Sequence, residues 1–319
     1  MDSKYFILES YKMQLKNLVN DLIADEKLLK GVASPKNLYH YTDANGLLGI
    51  IKDQQFFATH SSFLNDKSEF EYGRNMLIQV LNDRAKKDIE NQEVIYNLIS
   101  SIKNNIENDY YVACFSGHRD DINQWFKYGK SGLGFCLDFK LDTLCDFFGV
   151  YADFLPVIYS KKNQVKILEQ LIDELFLCEL SNLSSENEHK DLFYQAFSEA
   201  FGIFSMFFKS DKFKSEKEYR AIMSRNDKYN IERELKFRIN NKEQIVPYLE
   251  ANDKIVLSNP MKKLFIDESL LFKMGNIKIE SILIGPKQDE EKSKISLLAI
   301  QNSILKYSIN IFKSTVPLD

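Results

Sequence analysis

Glycine and proline are scarce in this chain, 12 and 6 among 319 residues, and there are one tryptophan, four cysteines and four histidines. So little glycine and proline excludes collagen-like and low-complexity chains. Cys114, Cys136, Cys145 and Cys178 form no C-x-x-C pair, which removes the common zinc patterns. Free thiols in a reducing compartment are therefore expected. No charge-free apolar run approaches the ~18 residues that a bilayer span requires. The longest candidate, FGIFSMFF at 201–208, is far too short. The N-terminal segment mixes acidic and basic side chains with apolar ones and shows no cleavage site, so a cytoplasmic protein without a membrane partner is expected. An excess of positive charge is also missing. With 42 Lys and Arg against 46 Asp and Glu the formal charge is −4, which excludes a nonspecific duplex binder but allows a local basic groove. Absent too are a Walker loop, G-x-G-x-x-G, H-E-x-x-H and G-x-S-x-G.

What the chain has in abundance is aromatic mass, 24 Phe and 16 Tyr, enough to fill a core and to line a pocket. The composition, 44% hydrophobic and 28% charged, is that of a folded, soluble protein. Apolar residues at three- and four-residue steps predict a helix over 4–30. A strand at 38–41, a helix at 44–52 capped by Thr42 or Asp43, and a strand at 56–58 follow. Residues 67–107 read as polar helix, with Asp66 and the pair Ser68 and Glu71 as caps. YYVACFS at 110–116 is β-branched and aromatic and predicts a strand; 122–129 is a short helix or turn, and 132–139 a strand opened by glycines. Strands at 154–159, 218–224, 234–239, 244–249, 279–285 and 308–313, and helices at 163–180, 189–208, 267–273 and 289–304, complete the pattern. Irregular alternation without a repeat implies an α+β fold with a mixed or antiparallel sheet. The expected organisation is an N-terminal helical segment, 1–34, and one domain, 35–319, with helical insertions at about 67–108 and 163–208.

Few residues are equipped for chemistry. His189 lies in a polar stretch and reads as a surface residue, while His60 and His118 follow strand ends, where polar loop residues are ordinary. His40 is placed by strand alternation opposite Tyr39 and Tyr41, which suits either a hydrogen-bonded core histidine or a site residue. In KSEKEYR, Lys214, Glu216, Glu218 and Arg220 share one face of a strand. They form either a solvated charge ladder or a carboxylate site, with Glu218 favoured over Glu216. Trp125 and Tyr128 suit packing or a lid, and Tyr128 could instead stack on a ligand ring. Asn65, Asp66, Glu69 and Glu71 could gather a cation, but capping accounts for Asp66 and Glu71, so no metal is expected.

LYHYTDANGLLGIIKDQQFFATHSSFLNDKSEFEYG resembles the opening of the bacterial family known as domain of unknown function 2971, with its Y-H-Y-T strand, "L..I" helix and "F.ND..E" turn. Further blocks agree in order: CFS and W-x-x-Y-x-x-x-x-x-G at 114–134, K-x-E-K-E-Y-R at 214–220, V-P-Y at 246–248, ILIGP at 282–286 and a terminal KSTVP. That family in turn resembles, remotely, the ADP-ribosyltransferase superfamily, whose NAD cleft opens with an H-x-T strand. The resemblance implies an ADP-ribosyltransferase-like sheet and NAD as substrate. The triad it implies is His40, an aromatic or hydroxyl residue on a second strand, and a glutamate on a later one. Catalytic candidates are then His40, Glu218 and Tyr128, and NAD-binding candidates Tyr41, Thr42, Phe115, Ser116, Trp125, Glu216 and Arg220. Gln54 and Gln55 stand where that superfamily shows glycine. Breaking the nicotinamide–ribose bond builds positive charge on the ribose, which a carboxylate stabilises, while an aromatic ring holds the nicotinamide.

The function so implied is an NAD-consuming ADP-ribosyltransferase-like toxin or phage-defence effector acting on nucleic acid or protein. An antitoxin or defence-system protein is the implied partner. The alternative is a non-catalytic nucleotide-sensing or protein-interaction module of the same fold. A third reading, a cation-dependent hydrolase, would use Asp66, Glu69 and Glu71.

Overall fold

In NLYHYT side chains alternate between two environments, and the segment forms the strand β1 (Asn37–Thr42). The computed structural model describes residues 3–24, 35–64, 68–104, 110–148, 152–178, 187–225, 233–240, 243–251, 277–305 and 307–318. Its first helix, α1, spans Ser3–Ala24. After β1 come α2 (Ala44–Asp53), β2 (Phe56–His60), α3 (Ser68–Ala85), α4 (Gln92–Asn104), β3 (Tyr110–Ser116), α5 (Ile122–Lys127), β4 (Phe135–Lys140), α6 (Leu141–Phe148) and β5 (Asp153–Pro156). The rest of the chain supplies α7 (Lys161–Cys178), α8 (Asn187–Ser205), β6 (Glu218–Ser224), β7 (Lys236–Ile239), β8 (Ile245–Ala251), β9 (Ser281–Ile284), α9 (Glu290–Ile300) and β10 (Asn310–Lys313). The fold is α+β. No helix among the described residues is long and apolar enough to cross a membrane.

The chain divides into two compact units. Met1–Ala33, Ser61–Tyr110 and Val157–Lys214 make the first. It is helical, and its helices bury the stripes that their sequences contain. In α4 these are Ile95, Leu98, Ile99 and Ile102, and Leu77, Leu81, Leu168, Leu171, Phe193 and Phe197 are buried on α3, α7 and α8.

Ser34–His60, Tyr111–Pro156 and Ser215–Asp319 make the second unit, which holds the sheet. Strand order is β10-β9-β4-β1-β3-β2-β8-β7, with β6 joined to β3 and β5. The ladders of β1 with β3 and β4, of β2 with β3 and β8, of β4 with β9, of β5 with β6 and of β7 with β8 are antiparallel, and β9 pairs with β10 in parallel. One face is aromatic. Phe56, Phe115, Phe139 and Phe148 pack with ring centroids 5.2 to 5.5 Å from Phe56, beneath Leu47, Ile50 and Ile51 of α2 and Leu144 of α6. Each such ring stabilises the fold by roughly 1.5–3 kcal/mol through burial. The other face carries Tyr41, Trp125, Cys136 and Leu283, with Tyr39, Val316 and Leu318 against them.

Local chemistry sets the boundaries. Asp43, not Thr42, caps α2 by accepting from the Gly46 amide at 2.8 Å, and Gln54 ends that helix with φ 51°. The strand expected at 132–139 begins only at Phe135, because Gly129, Gly132 and Gly134 form a turn packed on the ILIGP segment. The helix α6 has no counterpart in the sequence reading, because LDTLCDFF follows β4 with no intervening turn signal. The helix expected at 267–273 and the last part of that expected at 4–30 lie outside the described residues.

The glycine packing is testable. A Cβ on Gly285 would stand 2.4 Å from the Gly132 carbonyl oxygen and 2.6 Å from that of Gly134. Both neighbours are backbone and cannot swing aside. Gly285→Ala is expected to destabilise the fold by about 3 kcal/mol, read from urea unfolding followed by circular dichroism. A change below about 0.5 kcal/mol would show that the turn has room to move.

Candidate functional site

β1 sends its residues to both faces of the sheet. Tyr39 and Tyr41 lie opposite Asp138 and Cys136 of β4, and Tyr39 opposite Ser116 of β3, so these five share the face away from the aromatic core. His40 points the other way, its ring 5.6 Å from Phe56 and 5.3 Å from Phe115. The alternation read from LYHYT is the one the strand adopts.

Tyr39 with Ser116 is the one pair in the β1–β3 register. Beyond it the ladder lapses, and the His40 side chain fills the gap, Nδ1 donating to the Cys114 carbonyl at 3.0 Å. That bond places the proton on Nδ1 and leaves Nε2 an acceptor. Among the described residues Nε2 has no hydrogen-bond partner. Burial, with the charge of Arg238 adding to it, holds the His40 pKa down to about 4, so the ring is neutral at physiological pH.

Tyr41 and Trp125 are scaffold. The Tyr41 hydroxyl donates to the His118 carbonyl at 2.9 Å and accepts from the Asp121 amide at 3.0 Å, and burial raises its pKa. Its ring meets the fully buried Trp125 edge-on at 4.9 Å. The Trp125 Nε1 donates to Asp120 at 2.7 Å, and the same carboxylate accepts from the Ser314 hydroxyl at 2.7 Å and the Thr315 amide at 2.9 Å. Asp121 caps α5 through the Asn123 and Gln124 amides. Thr42 packs its hydroxyl against the first turn of α2, where a Cβ on Gly46 would stand 2.0 Å from Oγ1.

A second set of groups meets where β3 ends and β6 begins. The Ser116 hydroxyl donates to the Glu216 carbonyl at 2.9 Å and accepts from the His118 amide at 3.1 Å, and the Gly117 amide donates to the Lys217 carbonyl at 2.8 Å. Residues 211–216 form a 3-10 turn and Lys217 takes φ 43°, so the strand starts at Glu218. This corrects the expectation of one strand face: Lys214 and Glu216 precede the strand, and only Glu218 and Arg220 alternate within it. Glu216 pairs with Lys127 of α5 at 2.7 Å. Glu218 and Arg220, 7% and 1% exposed, meet in a two-point contact, with Nε to Oε1 and Nη2 to Oε2 both 2.9 Å. Tyr219 between them enters the aromatic core.

The structure thus gathers Ser116, Glu216, Glu218 and Arg220, and separately Tyr41, Thr42 and Trp125. Phe115 lies in the aromatic core, 2% exposed, and Tyr128 caps the end of α5 at 39% exposure. Phe115 and Tyr219 occupy the core face, and Tyr39, Tyr41 and Trp125 the opposite one, so these aromatics do not line a single cleft. Asn65 and Asp66 lie outside the described residues, and Ser68 and Glu69 outside those whose side chains are described. Sequence reasoning passed over Lys127, Asp120 and Arg238. Lys127 sits two residues after Trp125 on a short helix, a signal that could have been used; Asp120 and Arg238 owe their partners to segments far along the chain.

A family model described as a protein of unknown function (DUF2971) matches residues 124–221. The matched stretch contains Trp125, Tyr128, Glu216, Glu218 and Arg220, while His40, Thr42 and Ser116 precede it. No curated protein and no solved structure matches the chain.

The position of His40 has a pH consequence. Its proton is bound near pH 6.5 in the unfolded chain and only near pH 4 in the folded one, so on acidification the unfolded state takes it up first. The stability tied to His40 is complete above pH 6.5, falls between pH 6.5 and 4 and changes no further below, by at most about 3 kcal/mol. Urea unfolding at pH 7 and pH 4.5 is expected to show a smaller difference for His40→Gln than for the parent protein. An equal difference in both would assign the acid sensitivity to other groups.

Proposed function

We propose that the second unit is an NAD-consuming centre of the ADP-ribosyltransferase type, with Glu216 and Glu218 as its carboxylate arm. The observation that carries this reading is the junction of β3 and β6, where the carboxylates on either side of left-handed Lys217 each meet a basic partner and the Ser116 hydroxyl donates to the Glu216 backbone carbonyl. In the reaction the ribose–nicotinamide bond breaks, its electron pair leaves with nicotinamide, and positive charge appears on the ribose. Glu218, its plane fixed by Arg220, stabilises that charge. The acceptor nucleophile then bonds to the ribose and loses its proton to Glu216 or to water. A role as toxin or phage-defence effector, acting on nucleic acid or protein and restrained by a partner protein, belongs to this reading.

A second reading, a nucleotide-sensing or protein-interaction module without turnover, is favoured by one specific observation. Both Glu218 oxygens are engaged by Arg220, and His40 meets the face of the sheet from which Glu218 and Arg220 point away.

Incubation with NAD, followed by chromatographic detection of nicotinamide, separates the two. The transferase reading expects release, reduced about 10²–10³-fold in Glu218→Gln with binding retained. Calorimetric NAD binding without release supports the sensing module. Neither binding nor release overturns both, and equal release by the Glu218→Gln and Glu216→Gln variants removes the residue assignment.

A further inference from the structure

The hairpin β7–β8 and its neighbour β2 bring Phe57, Thr59, Arg238 and Tyr248 together. Phe56 and Ala58 of β2 enter the aromatic core, so Phe57 and Thr59 face the other way. Thr59 lies opposite Tyr248 of β8, and Tyr248 opposite Lys236 of β7. The Phe57 and Tyr248 rings sit 4.7 Å apart, and the Arg238 guanidinium stands 5.8 Å from each ring centroid. One Nη of Arg238 donates to the Thr59 hydroxyl at 2.7 Å.

Three properties separate Arg238 from an ordinary surface arginine. Its cationic neighbour Lys236 is neutralised by Glu250 at 2.7 Å, whereas Arg238 has no carboxylate partner among the described residues. Its guanidinium is oriented by two rings and a hydroxyl, so little side-chain freedom remains to be lost on binding. Its charge also reaches His40 and Asp43, the residues at the lapse between β1 and β3 and at the start of α2.

We infer that Arg238, with Phe57, Thr59 and Tyr248, is the phosphate-recognising part of a nucleotide site on the sheet face turned away from the aromatic core. The inference rests on the nucleotide reading above and adds to it the residues that read the phosphate. A guanidinium with free N–H groups donates to two phosphate oxygens side by side. The rings beneath hold it in place and offer apolar surface to a base. A guanidinium for a phosphate beside aromatic rings for a base makes the ligand class a nucleoside phosphate.

Calorimetric titration with ADP and with adenosine tests this on the full chain. The parent protein is expected to prefer ADP, and Arg238→Ala to lower ADP affinity about tenfold or more while leaving adenosine affinity unchanged. Arg238→Lys, which keeps the charge but not the fork, is expected to restore only part of the loss. Arg238 is exposed at the surface, so both variants should unfold at the parent temperature. Absence of ADP binding in the parent, equal loss of ADP and adenosine affinity, or full affinity in Arg238→Ala each overturns the assignment. Because no turnover is read, failure to release nicotinamide would sink the transferase while leaving this site standing. Nicotinamide release unaffected by Arg238→Ala, at NAD concentrations below saturation, would do the reverse.

Discussion

Strand β3 has three neighbours and cannot keep full ladders with all of them. Its register gives β1 the single pair Tyr39 with Ser116 and gives β2 Val112 and Tyr111, while β6 joins it as well. A buried carbonyl left behind by such a lapse needs a donor, and for Cys114 that donor is the His40 ring. The tautomer of His40 and its open Nε2 follow from this one bond, while burial keeps the ring neutral. So does its packing on Phe56 and Phe115, since a ring drawn into the sheet must lie on whatever lines the gap.

The opposite face obeys a different constraint, the close approach of backbones. Gly129, Gly134 and Gly285 bring the end of α5, the start of β4 and the turn after β9 within distances that no Cβ would allow. Lys130 and Ser131 accept left-handed backbone to complete that turn. Asp120 ties the same region to Ser314 and Thr315, and with Tyr41 it holds Trp125 and hence α5, which presents Lys127 to Glu216. The carboxylate junction is therefore positioned from two directions, by β6 and by α5.

Much of the fold was legible because it is local. The alternation of YYVACFS and of NLYHYT, the Asp43 cap and the apolar spacing of α4 each depend on residues within a turn or a pleat of one another. The gathering of Ser116, Glu216, Glu218 and Arg220 was legible in kind, since carboxylates beside an apolar strand are conspicuous, but not in geometry. A left-handed residue at Lys217 has no sequence signature when glycine is not used, and it divides what reads as a single strand.

By itself the sequence determined the fold class and the face of β1 on which His40 stands, because these are properties of neighbouring residues and their period. Only the tertiary structure decided that His40 bonds Cys114, that Phe115 belongs to the core and not beside Trp125, and that Arg238 has an aromatic seat and, among the described residues, no carboxylate partner. Those outcomes depend on strands far apart in the chain meeting in one register, and side chains close in sequence hold no record of the partners that register brings.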